Sequence, residues 1–499
     1  MTEAMTDRIG FNNEKYISMQ SEHIRERIAQ FGGKLYLEIG GKLFDDYHAS
    51  RVLPGFQPDS KVRMLMSVRE QAEIVIAISA IDIEKNKVRG DLGITYDLDV
   101  LRLIDAFRSV GLYVGSVVIS MYSGQYNVDI FRKQLENRGI PVYLHYPISD
   151  YPHNIRHIVS EEGFGRNDYI ETTRPLIIVT APGPGSGKMA TCLSQLYHEH
   201  KRGVKAGYAK LETFPIWNLP LKHPVNLAYE AATADLNDIN MIDPFHLMAY
   251  GETAVNYNRD VEAFPILNDI FEKILGESPY KSPTDMGVNM VGFCIEDDKV
   301  CSEASYDEII RRYYKAMCDR LVGQVDDNAV YKIETIMHDA DIDASRRPAV
   351  GQALAKAAQT EGPAAALELR DGTVVTGKSS DLLGAASAML LNALKYLAGI
   401  PDEKLLISRE VLEPIADLKT GVFGNRNPRL HMDETLIALS ICAVSDDCAR
   451  RAYAELPRLK DTEMHSTVVL SHVDTATSRK LGIHLTCEPV YQSKKSYHA

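Results

Sequence analysis

The residues best suited to chemistry are Pro182-Gly183-Pro184-Gly185-Ser186-Gly187-Lys188, which stand between the apolar run Leu176–Thr180 and an amphipathic segment starting at Met189. A phosphate needs several donors converging on it and a positive local potential. A strand that enters a glycine-rich turn and leaves as a helix supplies both, because glycines let main-chain amides face inward and a helix start carries partial positive charge. Lys188 adds a full charge at the end of the turn. Gly183, Gly185, Ser186, Gly187, Lys188, Met189 and Ala190 are therefore expected to bind a nucleotide, ATP first, or another small phosphorylated ligand. The strand–loop–helix order carries the signal, not the glycine count. The competing reading is a tight turn whose glycines serve only steric needs.

The loop departs from the pattern G-x-x-x-x-G-K-[ST] at two places. Pro182 stands at the first glycine and removes a donor. Met189 stands where a Ser or Thr hydroxyl would hold Mg²⁺, which makes that ion a doubtful cofactor. Thr191 comes two residues too late to replace it. Phosphate binding survives these departures better than Mg²⁺-dependent hydrolysis does.

Acid–base or metal chemistry would need carboxylates near the loop. Glu212 follows the strand expected over 204–211, and Glu296-Asp297-Asp298 follow a strand expected over 288–295. Asp238, Asp243 and His246 lie in the polar stretch 234–246, inside a segment, 212–260, that reads as irregular and rich in Asn, Asp and Pro. Loops after a phosphate-binding unit often contact substrate, whereas Asn and Asp equally often cap helices and turns. A weaker second anion nest is Glu38-Ile39-Gly40-Gly41-Lys42, followed by Asp45, Asp46, Tyr47, His48 and Arg51. No HExxH, GxSxG, EF-hand or zinc-deaminase ligand pattern occurs.

The elements that must position these residues read as α/β. Near-continuous apolar runs (34–39, 73–80, 113–121, 141–146, 176–180, 204–211) alternate with amphipathic segments, the signature of a doubly wound, mostly parallel sheet covered on both faces. Ser305-Tyr306-Asp307-Glu308 reads as a capping box opening a helix. Residues 1–322 form the expected N-terminal α/β phosphate-binding region, divisible at 150 into 1–150 and 151–322. Residues 323–362 form a helical bridge and 363–499 a separate C-terminal α/β domain of structural or interface-forming character. In that domain Asp371-Gly372 suits a hairpin turn.

Charge and composition narrow the classes. The 499 residues are 45% hydrophobic and 25% charged, as in ordinary soluble proteins. A net charge of -13 argues against nucleic-acid or membrane partners, which need a broad basic footprint. No 18-residue apolar span and no secretion signal is apparent, and the seven cysteines are scattered without a CxxC pair, so a reduced, cytoplasmic protein is expected. A homo-oligomer is compatible with the sequence.

Beyond the loop, Leu35–Ala49, Arg51–Gly55, Asn237–His246 and Ser282–Asn289 are distinctive strings, and with Thr180–Thr191 they resemble an uncharacterised bacterial family of about 500-residue cytoplasmic proteins with a P-loop-like PGPGSGKM motif. The resemblance implies an N-terminal α/β part and a separate C-terminal domain. Some members carry the label "ATP-dependent peptidase", for which this chain has no motif. Three functions follow as expectations: an enzyme of phosphoryl-transfer or ATP-driven ligation type using Asp238, Asp243, Glu212 or His246; a non-catalytic nucleotide-binding regulator; or a structural protein without ligand.

Overall fold

The computed structural model describes residues 9–41, 43–44, 46–89 and 92–492. They fall into two compact units, Ile9–Glu230 with Asp238–Ser302, and Ala231–Asn237 with the chain from Glu303 onward.

In the first unit six strands, β1 (Leu35–Ile39), β2 (Ala72–Ser79), β3 (Tyr113–Ser120), β4 (Val142–Leu144), β5 (Leu176–Thr180) and β6 (Gly207–Leu211), form one sheet. Its order is β4-β3-β2-β5-β1-β6 and every pairing is parallel. Helices cover both faces. Leu35, Leu37, Ile39, Ile74, Ile76, Ile78 and Ile178 pack with Ile104 and Phe107 of α1 (Tyr96–Ser109) and Phe131 of α2 (Tyr126–Glu136). The alternate residues Tyr36, Val75, Ala77, Ile177 and Val179 pack with Leu193 and Leu196 of α3 (Lys188–Lys201) and Phe264 and Phe271 of α4 (Asn258–Leu275). Burial on both sides makes these strands apolar throughout. A charge on one of them must find a partner, because an unpaired buried charge is costly.

Three local expectations are corrected. Segment 212–260 is ordered: it holds the helix Pro224–Ala232, the antiparallel pair β7 (Asn240–Ile242) and β8 (Val255–Tyr257), and the helix Pro244–Tyr250. Its Asn and Asp side chains satisfy backbone groups, as where Asn226 bonds both N and O of Ile216. Residues 288–295 are no strand. Only Val288 donates to the sheet edge, at the Lys210 carbonyl, and a 3₁₀ turn follows over Val291–Cys294. Ser305 does not cap a helix, because the helix already runs from Asp298 to Leu321 and Ser305 is fully buried within it.

The second unit has the four-stranded sheet β10-β9-β11-β12, where β9 is Ala364–Glu368, β10 Val374–Lys378, β11 Glu463–Ser466 and β12 His484–Cys487. Only β11 and β12 pair in parallel. Helices Pro348–Thr360 and Ala385–Leu397 pack on it. Glu463 is held between Arg311 at 2.6 Å and Arg347 at 2.5 Å.

Candidate functional site

The sheet order explains where a site can form. The chain leaves β1, skips one strand position to lay down β2, continues outward through β3 and β4, and then returns to fill the skipped place with β5. Neighbouring connections therefore diverge at the carboxyl end of β5, the switch point where open α/β sheets bind ligands. The glycine-rich loop leaves β5 at that place.

Gly185 and Gly187 have φ of 77° and 84°, backbone that other residues adopt with strain. Gly187 also approaches β3 so closely that a Cβ there would lie 2.9 Å from Ser120 Oγ. Ser120 in turn donates to the Ser186 carbonyl at 3.0 Å, which ties the loop to the end of β3. Gly183 passes Tyr96 with no room for a side chain, 2.3 Å separating a notional Cβ from the phenol oxygen. The Ser186 hydroxyl donates to the Gly183 carbonyl at 2.8 Å and closes the turn from inside.

The loop leaves its donors unused. Among the described residues, the amides of 185 to 190 have no hydrogen-bond acceptor, and the first amide satisfied within the helix is that of Thr191, bonded to Gly187 O at 2.9 Å. Lys188, half-buried at the first turn of α3, has no carboxylate or hydrogen-bond partner for its ammonium among the described residues. The Thr191 hydroxyl bonds back to the Gly187 carbonyl at 2.9 Å. Met189 and Ala190 offer main-chain donors only.

The other expected site residues separate into two groups. Glu212 stands one position beyond β6. The register Val179–Glu38–Lys210 places Ala181, Gly40 and Glu212 side by side at the strand ends, so Glu212 is two strand spacings, about 10 Å, from the root of the loop. Its side chain crosses Gly40, where a Cβ would be 2.4 Å from its Cγ. The amide of Gly40 is bonded to Leu211 O at 2.8 Å, so Gly40 makes room for Glu212 instead of contributing to an anion nest. Lys42 and Asp45 of that second motif lie outside the described residues, and Asp46 is paired with buried Lys61 at 2.8 Å.

Glu212 belongs to a buried cluster. Lys210 lies 2.7 Å from Asp260, 3.0 Å from Glu212, and donates to the Tyr257 hydroxyl. Tyr257 donates to both Glu212 oxygens, at 3.0 and 3.2 Å. Burial pushes the Glu212 carboxyl above its usual range against the pull of Lys210. Burial opposes the charge on Lys210, but Asp260 and Glu212 outweigh it and hold the ammonium well above its ordinary value. A carboxyl whose affinity for a proton is raised, next to a phenol and a fixed ammonium, is suited to proton transfer. Glu212 and His246 both line a cavity of about 360 Å³, together with Lys210, Asp260 and Trp217.

The second group is engaged structurally. Asp243 caps the helix Pro244–Tyr250 through Phe245 N and His246 N, both at 3.0 Å, and accepts Thr284 N at 3.2 Å and Thr284 Oγ1 at 2.6 Å. Asp238 is held by Arg259 at 2.6 Å. Glu296 binds Asn12, Asp297 caps Val300, and Asp298 meets His223. Sequence reasoning missed Lys210, Tyr257 and Trp217. The one available signal was a lone lysine inside the buried run Gly207–Leu211, which requires a counter-charge. Among the described residues no group of three or more His, Cys, Asp or Glu side chains is placed to hold a metal ion, and no helix is long and apolar enough to cross a membrane.

The chain is similar to known sequences over nearly its whole length. Residues 9–341 match the family described as "Domain of unknown function DUF1846, N-terminal", and 345–497 match its C-terminal counterpart. The chain belongs to the DUF1846 family. It is 58% identical over 487 residues to a UPF0371 protein of Streptococcus thermophilus and to one of Streptococcus pneumoniae, in each case covering 98% of this chain and 99% of the relative. A UPF0371 protein of Streptococcus uberis is 57% identical over 490 residues with the same coverage. The two DUF1846 matches together cover nearly all of both compact units, and the N-terminal match contains the loop, Glu212 and the cavity.

Proposed function

We propose that this DUF1846 protein binds a small phosphorylated ligand, a nucleotide and ATP first, on residues 183–190. The observation that carries the reading is that, among the described residues, the amides 185–190 find no acceptor and the neighbouring Lys188 ammonium no partner, at the switch point of the sheet. Inorganic-phosphate chemistry fits such donors, which cost little to use because no internal bond must break first. Ligand-bearing protein acts as a phosphoryl-transfer or ATP-driven ligation enzyme in the cytoplasm, with Glu212 as the acid–base group, because positioning and charge neutralisation are most of what that chemistry requires.

A thermal-shift screen with ATP, GTP, their diphosphates and phosphosugars tests it. At about 100 times its dissociation constant a ligand adds roughly 2.7 kcal/mol of stability. The shift is expected to vanish in Lys188→Ala. A mutant that responds like wild type, or a wild type that responds to none of these compounds, removes the loop as the site.

Non-catalytic nucleotide binding is the second reading. It is favoured by Met189, which offers no hydroxyl for a metal, and by Ser186, whose hydroxyl is turned to Gly183 O. Phosphate release over hours, with and without Mg²⁺, divides the two: release that needs Glu212 supports the enzyme, and binding without release in any mixture supports the regulator.

A further inference from the structure

We propose that the cavity beside the edge strand β6 is a binding site for a small, neutral, polyhydroxylated molecule of the sugar or cyclitol class. The proposal goes beyond the reading of the loop and does not depend on it, because none of the described residues 182–190 lines this cavity.

The cavity lining has two unlike parts. One is apolar and partly aromatic, made by Trp217, Phe293, Met290 and Met19. The indole is fixed in place: its N–H donates to Asn289 O at 2.9 Å, and Phe293 meets it edge-on with ring centroids 5.8 Å apart. The polar part includes Glu212, Asp260 and His246, whose imidazole lies 6.3 Å from the indole between ring centroids. Each keeps bonding capacity after its protein contacts are counted. Asp260 gives only Oδ2 to Lys210, and His246 uses only Nδ1, toward Ser282 Oγ at 3.1 Å. Glu212 accepts from Tyr257 and Lys210, and a carboxylate offers about four lone-pair sites.

Charge decides the ligand class. The cavity is lined by two cations, Arg27 and Lys210, and three carboxyls, Glu212, Asp260 and Asp285. Both cations are already engaged, Lys210 within its cluster and Arg27 Nη2 with the carbonyls of Asp285 and Gly287. Carboxyls outnumber cations in the lining formed by the described residues, which disfavours an anionic ligand here relative to the loop. A neutral sugar ring matches instead. Its C–H face is apolar and suits an indole, while its hydroxyls both donate and accept, as a lining with carboxyls and an imidazole requires. The volume of about 360 Å³ suits one such ring, near the lower end of the roughly 300–1,000 Å³ of small-molecule sites.

Trp217 is the one tryptophan of the chain, so its emission reports on this cavity directly. The experiment is a fluorescence titration of the full chain with glucose, galactose, N-acetylglucosamine and myo-inositol, with no phosphorylated compound present, and with adenosine alongside. At least one of the four polyols is expected to change the emission saturably, with binding at least tenfold weaker in Glu212→Met. If that variant does not fold, His246→Leu is titrated in its place with the same expectation. Calorimetry of Trp217→Leu is expected to show the same loss. No saturable change with any of the four, a response to adenosine alone, or polyol binding unaltered in these variants overturns the proposal. Because no nucleotide enters the titration, its failure leaves the Lys188 experiment untouched, and the reverse holds too.

Discussion

The carboxyl carbon of Glu212 occupies the space above Gly40, 2.9 Å from where a Cβ at that position would be. The glycine on one strand end thus sets the course of the acid on the next, and both belong to the edge of the sheet from which the glycine-rich loop departs. Gly40→Ala is expected to force Glu212 out of its bonds with Tyr257 and Lys210 and to destabilise the protein by roughly 1–3 kcal/mol, the usual scale of overpacking. Urea unfolding measures it. A change below about 0.5 kcal/mol, the level of an innocuous surface substitution, would show that the acid moves aside freely.

Lys210 holds a different balance. It is 8% exposed and faces Asp260 and Glu212 at once. Lys210→Met keeps much of the volume but strands two carboxyls in a buried place. Breaking such a cluster costs about 3–5 kcal/mol. The loss is expected to shrink in the double variant Lys210→Met/Asp260→Leu, and a double-mutant cycle with no coupling would refute the pairing.

Lys188 should behave in the opposite way. With no partner among the described residues, its ammonium contributes little to the resting fold. Lys188→Ala is expected to keep unliganded stability within about 0.5 kcal/mol of wild type. A loss above about 1 kcal/mol in unliganded protein would mean that the side chain is structural.

The loop and the strands were readable from sequence because each depends on local signals. β5 is an unbroken apolar run, Gly185 and Gly187 mark φ values that other side chains avoid, and Lys188 follows at once. The cluster around Lys210 was not readable. Lys210 meets Tyr257 and Asp260 across 47 and 50 positions of chain, and no spacing rule records that meeting. Residues 288–295 misled for a related reason: their apolar side chains fill a core beside the sheet, where burial without a ladder looks the same as burial within one.

The second unit carries a pH response of its own. His431 bonds Asp474 at 2.8 Å, and this bond raises the imidazole above its ordinary value, against the effect of burial. The imidazole loses charge as pH climbs through that raised value, so its stabilising contribution is complete below the unfolded value of about 6.5 and fades above it. Asp474 is depressed, burial being outweighed by His431, and its own contribution fades only in acid. The stability difference between wild type and His431→Asn is expected to be largest near pH 6 and to diminish toward pH 9, read by thermal unfolding across that range. A difference constant with pH would mean that folding leaves the proton affinity of this imidazole unchanged.

The place of β5 also bears on how the protein is made. Its neighbours β1 and β2 are complete by residue 79, but the strand that joins them ends at residue 180. During synthesis on the ribosome both inner edges stay open for about 100 residues of translation, since chains emerge from the N-terminus at roughly 5–20 residues per second. Open apolar edges of that kind invite pairing with other chains. A nascent chain released before β5 therefore lacks more than its loop: it leaves the facing edges of β1 and β2 unpaired, and a chaperone or a protease becomes its natural fate.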